Sequence, residues 1–309
     1  MKSYLASQLR INNFQVVTHT ISSLTKQAQQ SGLNKREAEM LIAHVLKMSR
    51  ASVIAHPEYM LDAAQVTLAQ SLFARRAAGE PIAYLIETRE FYGREFGVNE
   101  HVLIPRPETE ILLEQALARL NNEKWPESHA GSGPSKSDHR AQRVLDLGTG
   151  SGIIAITLKL EHPACEVTAC DISPGALNVA RENAKKWDAN IHFLESDWFT
   201  AFSSQAFDLI VSNPPYVAHN DVHLKQGDLR FEPALALTDQ TPGAAGLACI
   251  AHLIEQAPHY LSPGGWLLFE HGYGQAATCR DLLIARGFQS LISLHDLAAI
   301  PRVAGGRWL

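Results

Sequence analysis

Apolar residues recur at helical spacing through the first 85 residues. Residues 33–46 place them three and four positions apart behind Asn34, a candidate helix N-cap, and residues 63–76 repeat the pattern. The apolar face of this second helix is expected to hold Val66, Leu68, Leu72 and Phe73. These patterns predict a small helical domain. The alternation around glycines in residues 90–98 then predicts a short β-hairpin.

A different pattern begins at residue 143, where short apolar runs alternate with helical segments. The runs cover residues 144–147, 166–170, 191–194, 207–211 and 266–269. This alternation predicts a parallel sheet flanked by helices. Two further strand candidates, residues 287–294 and the terminal residues 305–309, have no helix between them. We expect these two segments to form an antiparallel pair at the edge of the sheet.

Composition places the chain among ordinary globular proteins. Apolar residues make up 46% and charged residues 19% of a 309-residue chain, a length typical of about two domains. The formal net charge of −5 provides no overall attraction to nucleic acid phosphates. Residues 121–140, which end in a glycine- and serine-rich stretch, are expected to form a mobile loop.

The cysteines and the absence of targeting signals bear on the compartment. The four cysteines show no paired spacing and are interpreted as core thiols of a protein from a reducing compartment: Cys165, Cys170, Cys249 and Cys279. No apolar run reaches the length of a membrane span, and the N-terminus does not resemble a signal peptide. We therefore expect a cytoplasmic protein that does not associate with a membrane.

The first strand of the predicted sheet leads into a glycine-rich turn. Residues 144–147 run into Gly148, Gly150 and Gly152, and an apolar helical segment follows. Glycines let the backbone approach a ligand closely, and the free N–H groups of a helix start favour an anionic group. The next strand ends at Asp171, a carboxylate suited to accept hydrogen bonds from two ribose hydroxyls. A purely structural strand-to-helix turn remains the alternative.

The sixth position of the glycine fingerprint separates two kinds of nucleotide site. Dinucleotide-binding turns place a small residue there, but this chain has Ile153. The departure argues against NAD. The turn instead resembles the S-adenosylmethionine loop of the Rossmann-like methyltransferases.

A second motif, Asn213-Pro214-Pro215-Tyr216, follows the predicted fourth strand at its carboxyl end. Two successive prolines make this turn rigid and remove two backbone donors. The oxygen of the Asn213 side chain and the Pro214 carbonyl are suited to hold a planar NH₂ group and to favour positive charge on its nitrogen. Tyr216 is expected to stack on the flat target. The alternative is a proline-punctuated strand end with Asn213 capping a turn and Tyr216 in the core.

Together the motifs resemble the Asn-Pro-Pro-Tyr class of amino-methyltransferases, and more narrowly the HemK family, the glutamine methyltransferases of peptide chain release factors. The resemblance spans nearly the whole chain. It is carried by residues 75–84, 104–110, 148–152, 196–199, 213–216, 230–233 and 270–272.

The resemblance implies a fold and a domain plan. The fold is α/β, a Rossmann-like methyltransferase fold dependent on S-adenosylmethionine, with a mostly parallel seven-stranded sheet that has an antiparallel edge strand, preceded by a small helical domain. Residues 1–86 are expected to form a helical substrate-recognition domain, residues 87–105 a hairpin linker, and residues 106–309 the methyltransferase domain.

The resemblance also implies roles for individual residues. The methionine part of the cofactor S-adenosylmethionine would contact Gly148, Thr149, Gly150, Ser151 and Gly152. Asp171 would bind its ribose, Asp197 and Trp198 would bind its adenine region, and Asn213 would also border the cofactor. The substrate glutamine would be held by Asn213, Pro214, Pro215 and Tyr216, with Asn213, Pro214 and Tyr216 as the catalytic group.

The implied activity is methylation of the side-chain amide nitrogen of the glutamine in the Gly-Gly-Gln motif of class 1 peptide chain release factors. We expect a monomer that binds this protein substrate and no nucleic acid directly. Three alternatives are weighed against this hypothesis: a glutamine methyltransferase of a large-subunit ribosomal protein, a DNA adenine methyltransferase, and a binding module with an inactive cofactor fold. The family that modifies the ribosomal protein has Pro-Arg-Ser-Pro where this chain has Pro105-Arg106-Pro107-Glu108, so the resemblance favours the release factor. The negative net charge disfavours DNA as the substrate.

The sequence alone leaves the roles of several features open. Arg106 and Glu108 either line the cofactor mouth or brace the domain junction through a salt bridge. Residues 217–246 either close over the substrate or form a passive surface loop. The 14 histidines contain no metal-binding pair, and His271 is expected to finish a strand rather than to act as a base. No residue stands out as the proton acceptor.

Overall fold

The amphipathic spacing near the N-terminus produces a helical unit in the computed structural model, which describes residues 19–122, 141–203 and 206–309. The chain divides into two units, Met1–Ile86 and Glu87–Leu309. The described part of the first unit contains five helices and a two-stranded antiparallel ribbon. These elements are β1 (His19–Thr20), α1 (Ile21–Gln30), α2 (Lys35–Leu46), α3 (Arg50–Ala55), β2 (Met60–Leu61), α4 (Ala63–Ala77) and α5 (Ile82–Leu85).

Helix α2 begins where the sequence places its cap. The Asn34 side chain accepts a hydrogen bond from the Glu37 N–H at 2.9 Å, and the Glu37 carboxylate accepts one from the Asn34 N–H at 3.1 Å, which makes a capping box. Leu41 and Ile42 of the same helix are fully buried in the core of the unit. In α4 the predicted apolar face is correct except for Leu68. Leu68 is 48% exposed because it lies on the solvent side of the helix.

The second unit is built on one sheet of seven strands in its described residues, 87–122, 141–203 and 206–309. A separate hairpin precedes it, formed by β3 (Thr88–Phe91) and β4 (Arg94–Gly97). The sheet strands are β5 (Arg143–Leu147), β6 (Glu166–Asp171), β7 (His192–Glu195), β8 (Phe207–Ser212), β9 (Leu261–Glu270), β10 (Gln289–His295) and β11 (Pro301–Arg307). The helices are α6 (Thr109–Asn122), α7 (Ile153–Glu161), α8 (Pro174–Lys186), α9 (Ala234–Leu237), α10 (Ala248–Gln256) and α11 (Ala276–Arg286).

The spatial order of the sheet is β10-β11-β9-β8-β5-β6-β7. Strands β7, β6, β5, β8 and β9 are parallel, and β11 pairs antiparallel with both β9 and β10. The predicted fold class and the terminal antiparallel pair are therefore confirmed. The antiparallel strand β11 lies one place in from the edge, because β10 occupies the edge position. Apolar clusters cover both faces of the sheet, as expected where helices flank parallel strands.

The predicted hairpin packs into the core of this unit. Phe91 and Phe96 are almost fully buried in the same cluster as the sheet residues. The Asn183 side chain of α8 accepts a hydrogen bond from the Gly97 N–H at 2.6 Å and donates one to the Gly97 carbonyl at 3.0 Å. The hairpin is thus held by both packing and hydrogen bonds.

Three other expectations concern the loop at residues 121–140, the cysteines and membrane-spanning segments. The stretch expected to be a mobile loop, residues 121–140, lies outside the described residues from 123 onward. Of the four cysteines, three are buried and Cys249 is partly buried. Burial raises the pKa of the Cys165 and Cys249 thiols to about 11 and that of Cys170 and Cys279 to about 12. No helix in the described part of the chain is long and apolar enough to cross a membrane.

Candidate active site

A cavity of about 340 Å³ opens at the carboxyl ends of the parallel strands, where sheets of this class bind ligands. Nine of the residues predicted from the sequence line it: Gly148, Thr149, Gly150, Ser151, Asp171, Asp197, Trp198, Asn213 and Pro215. Three predicted residues do not line it: Gly152, Pro214 and Tyr216. The folded chain thus brings both sequence motifs to one site, although they are about 60 residues apart.

The glycine turn between β5 and α7 is held from two sides. Gly148 and Thr149 both donate their N–H groups to the Cys170 carbonyl at 2.9 Å. Gly152 has a φ of +84°, and a Cβ at this position would lie 2.9 Å from the Ile156 Cδ1 of α7 and 3.2 Å from the Ala180 Cβ of α8. Gly152 therefore permits close packing of the helices behind the turn, while the preceding residues face the cavity.

Asp171 ends β6 beside this turn. Its carboxylate accepts the Gly150 N–H at one oxygen and the Ser173 N–H at the other, each at 2.9 Å. Burial raises the pKa of Asp171, while these two hydrogen bonds act in the opposite direction. Each carboxylate oxygen has a further lone pair, so the fixed group can still accept hydrogen bonds from a diol. Ser173 caps α8 and Pro174 opens it.

A second aspartate, Asp146, bonds both the glycine turn and the helix that follows it. Asp146 is fully buried in β5, and its Oδ2 accepts the Thr149 hydroxyl at 2.7 Å and the Ala155 N–H at 3.3 Å. Its Oδ1 has no hydrogen-bond partner among the described residues. Burial raises the pKa of Asp146 to about 7. Asp146 therefore couples the glycine turn to the start of α7.

The Asn-Pro-Pro-Tyr turn begins directly after β8. The Ser212 hydroxyl donates to the Leu147 carbonyl at 2.8 Å, which fixes the turn against the neighbouring strand. The Asn213 side chain donates its Nδ2 to the Thr109 hydroxyl at 3.1 Å. The Thr109 hydroxyl in turn donates to Glu270 Oε2 at 2.7 Å. The start of α6 and the end of β9 therefore both restrain the side chain of Asn213.

Tyr216 is bonded in a way that the sequence did not indicate. Its hydroxyl donates to Glu270 Oε1 at 2.7 Å. Burial and the neighbouring Glu270 carboxylate raise the pKa of Tyr216. Burial raises the pKa of Glu270 as well. Tyr216 packs against the apolar cluster that contains Leu147 and Phe269, and it is not among the cavity-lining residues. Its predicted stacking on the target therefore stays a prediction.

Close backbone contacts hold the far end of the turn. The Tyr216 carbonyl accepts a hydrogen bond from the Gln275 side chain at 3.0 Å, and Gln275 also donates to the Ala245 carbonyl at 2.9 Å. Gly246 has a φ of +75°, and a Cβ there would lie 2.1 Å from the Tyr216 carbonyl oxygen. Only glycine allows this approach. Gln275 and Gly246 thus position the turn, and no motif in the sequence pointed to either.

The segment after the turn folds back over the same edge of the sheet. It forms two short 3₁₀ helices, Val222–Lys225 and Gly227–Phe231, and then α9. Val217 donates its N–H to the Leu237 carbonyl at 2.9 Å. Leu235 and neighbouring residues of this segment line the cavity. Part of the segment is therefore a wall of the site.

Arg106 links two walls of the cavity. It lines the cavity and forms an ion pair with Glu232, whose side chain is fully buried. The other oxygen of Glu232 accepts the Ile104 N–H at 2.9 Å. Burial raises the pKa of Glu232, and Arg106 acts in the opposite direction. Of the two roles that the sequence left open for Arg106 and Glu108, lining the cavity is observed for Arg106 and not for Glu108, and the Arg106 ion pair joins two segments of the second unit.

The lining of the cavity suits an S-adenosylmethionine molecule. Asp171 offers a fixed carboxylate to ribose hydroxyls, and the backbone of the glycine turn offers polar groups to a charged end. The half-exposed side chains of Ile172 and Leu235 add apolar surface for a planar ring. The volume lies in the range of small-molecule sites. The described residues contain no group of three or more His, Cys, Asp or Glu side chains that could hold a metal ion.

Comparison with protein families gives two matches. Residues 15–86 match the PrmC N-terminal domain, and residues 135–236 match the methyltransferase small domain. The two matches correspond to the helical unit and to the part of the sheet unit that carries both motifs.

Individual proteins extend these matches along the chain. The release factor glutamine methyltransferase of Bordetella pertussis is 48% identical over 276 residues, which cover 89% of this chain and 95% of that protein. The enzyme of the same description from Escherichia coli (strain K12) is 42% identical over 291 residues, 94% of this chain and 98% of that protein.

A solved structure supports the fold. The crystal structure of a methyltransferase from Pyrococcus furiosus aligns with a TM-score of 0.50 and 17% identity, and it covers 76% of this chain and 96% of that one. Identity this low bears on the fold alone. The identities above 40% over nearly whole chains carry the assignment. The chain belongs to the release factor glutamine methyltransferase family and is a protein-glutamine methyltransferase that uses S-adenosylmethionine.

Proposed function

We propose that this enzyme methylates the side-chain amide nitrogen of the glutamine in the Gly-Gly-Gln motif of class 1 peptide chain release factors. The descriptions of its relatives support a release factor as the substrate. The observation that carries the proposal is the position of Asn213, which lines the same cavity as the glycine turn and Asp171.

The chemistry of an amide explains why a rigid acceptor is needed. Delocalisation of the nitrogen lone pair, which produces a rotation barrier of about 18–20 kcal/mol, makes an amide nitrogen a poor nucleophile. When bound, S-adenosylmethionine supplies an electrophilic methyl group on a sulfonium sulfur. The chain has to bring the amide nitrogen in line with that carbon, a positioning effect that supplies about 7–11 kcal/mol at its ideal limit.

Asn213 is the residue best placed for that task. Its Nδ2 is already bonded to Thr109, which leaves Oδ1 as the atom available to a substrate NH₂ group. An acceptor fixed at this point also stabilises positive charge as it develops on the nitrogen. We assign Asn213, with the Pro214 carbonyl, to holding the amide. Pro215 lines the cavity and shapes the pocket, while Tyr216 anchors the end of the turn through Glu270.

The cofactor residues follow from the same cavity. We assign Gly148, Thr149, Gly150 and Ser151 to the charged end of the cofactor and Asp171 to its ribose. Asp197 and Trp198 line the cavity and are assigned to the adenine region. Gly152 is assigned to supporting this turn by packing. Residues 1–86 are assigned to recognition of the release factor, and we expect the enzyme to act as a monomer without binding nucleic acid.

The experiment supplies a methyl-labelled cofactor and a purified class 1 release factor, and it locates the label by mass spectrometry of the tip peptide. We expect one methyl group on the glutamine side chain and none on a release factor in which this glutamine is replaced by alanine. Parallel reactions contain large-subunit ribosomal proteins or duplex DNA. Label in either of these, with none on the release factor, would overturn the proposed substrate.

A further inference from the structure

Four side chains around the Asn-Pro-Pro-Tyr turn form one continuous hydrogen-bonded chain. Asn213 donates to Thr109 at 3.1 Å, Thr109 donates to Glu270 at 2.7 Å, and Tyr216 donates to the other oxygen of Glu270 at 2.7 Å. Thr109 is 0% exposed and Glu270 is 1% exposed, and Thr109 lines the cavity together with Asn213, whereas Glu270 does not. The Glu270 carboxylate at the inner end of the chain is therefore shielded from bulk water, and its hydrogen bonds are made to protein groups.

The number of protons in this chain fixes its direction. A threonine hydroxyl has one proton, so Thr109 can donate to only one neighbour. With Glu270 as a carboxylate, which has no proton to donate, the Thr109 proton goes to Glu270 and the Thr109 oxygen can only accept from Asn213. Asn213 must then turn its NH₂ group toward Thr109, and its Oδ1 faces the other way. If Asn213 were reversed, Thr109 would have to donate to it, and the buried Glu270 oxygen would lose its donor.

We infer that Thr109, backed by Glu270, is a positioning residue that holds the Asn213 side chain with its oxygen, rather than its NH₂ group, available to the substrate amide. The inference rests on the proposed function of Asn213. A reversed Asn213 would present an NH₂ group to the NH₂ group of the substrate, and two donors cannot form a hydrogen bond. Without Thr109 the two orientations of the amide are expected to differ little, since the bond to Thr109 is the one hydrogen bond of Nδ2 among the described residues.

Replacing Thr109 by valine removes the hydroxyl and keeps a β-branched side chain of similar size. We expect Thr109→Val to lower kcat by about 10–100-fold, less than the roughly 10²–10³-fold that follows loss of the acceptor itself. The KM for the release factor should change by less than about threefold, and so should the Kd for S-adenosylhomocysteine measured by calorimetry. The substitution is expected to leave the groups that bind the two molecules in place. Thr109→Ser keeps the hydroxyl and is the matched control, with kcat near that of the parent enzyme.

A double-mutant cycle separates positioning from general damage. Single-turnover methyl transfer is measured for the parent enzyme, Thr109→Val, Asn213→Ala and the double variant. If Thr109 acts through Asn213, the valine substitution has no further effect once the Asn213 side chain is absent. A residue that only supports the fold would lower activity by the same factor in both backgrounds. Thr109→Ala, which adds no bulk, gives the same test should the valine variant not fold.

The outcomes distinguish this inference from the proposed function. A large loss in Thr109→Val, recovery in Thr109→Ser and no added loss in the double variant support it. Parent-like activity of Thr109→Val, or an undiminished loss in the Asn213→Ala background, overturns the inference and leaves the role of Asn213 intact. Parent-like activity of Asn213→Ala overturns the proposed function itself.

Discussion

Replacing Arg106 by methionine is expected to destabilise the methyltransferase unit in a pH-dependent way. The substitution keeps most of the aliphatic length of the side chain and removes the partner of Glu232. The Glu232 side chain is 0% exposed, and it would retain one described hydrogen bond, from the Ile104 N–H at 2.9 Å. A buried carboxylate without a counter-ion is the main source of the expected loss.

The structure sets the size of this effect. Removing one partner of a fully buried ion pair costs about 3–5 kcal/mol, and removing one from an exposed pair costs about 0–1 kcal/mol. The Arg106 side chain is 30% exposed, which places this pair between the two cases. We expect the free energy of unfolding to fall by about 2–3 kcal/mol at pH 8.

The pH dependence follows from the raised pKa of Glu232. Burial already raises this pKa while Arg106 acts to lower it, so the methionine variant shifts the pKa further upward. A carboxyl group whose pKa is higher in the folded than in the unfolded protein lowers stability when it is ionised. This loss disappears as the pH falls toward the pKa of the group in the unfolded protein. The difference between variant and parent should therefore shrink as the pH is lowered from 8 to 5.

Urea unfolding followed by tryptophan fluorescence measures this difference. All five tryptophans follow residue 86, so the signal reports on the methyltransferase unit. Arg280→Met is the matched control because the Arg280 ion pair with Asp281 is about two-thirds exposed on both sides, and its loss should be within about 0.5 kcal/mol. Adding Glu232→Gln to the Arg106 variant should restore at least half of the lost stability at pH 8. A pH-independent loss, or one no larger than in the control, would refute the reasoning.

Three further predictions address the turn, the buried aspartate and the helical unit. Gly152→Ala should cost about 2–4 kcal/mol, from the positive φ and the 3.2 Å approach to the Ala180 Cβ, whereas Gly93→Ala, with a positive φ but open space, should cost about 1 kcal/mol in the same assay. The pKa of Asp146, raised to about 7, means that stability is lost as the pH rises to that value. The free energy of unfolding of Asp146→Asn, taken relative to that of the parent enzyme, should therefore rise by about 2–3 kcal/mol between pH 5 and pH 8. A difference between variant and parent that does not change with pH would contradict this prediction. Asn34→Ala should lower the stability of α2 by about 1 kcal/mol, seen as faster hydrogen exchange of its amides, and unchanged exchange would contradict the capping box.

Local signals explain what the sequence predicted well. The Asn34 cap and the strand ending at Asp171 both depend on neighbouring residues, and the structure contains each of them. The order of elements then determined the parallel sheet. Leu68 was assigned to the buried face because its spacing from Val66 and Leu72 allows two choices of face, and only packing decides between them.

Contacts between distant residues explain what the sequence could not provide. Thr109 and Glu270 lie in motifs that stood out in the sequence, but they are 161 positions apart and no local pattern pairs them. Arg106 and Glu232 are 126 positions apart, and both roles considered for Arg106 were compatible with the sequence. The glycine motif likewise did not show that Gly152 would pack against Ile156 while its neighbours line the cavity.

The central claim is that Asn213 holds the substrate amide beside the methyl donor. A crystal structure of the enzyme with S-adenosylhomocysteine and a class 1 release factor tests it most directly. We predict the amide nitrogen of the tip glutamine about 2.7–3.2 Å from Asn213 Oδ1, with that nitrogen facing the sulfur. A glutamine bound elsewhere in the cavity, or Asn213 bonded to other protein groups through its oxygen, would contradict the account.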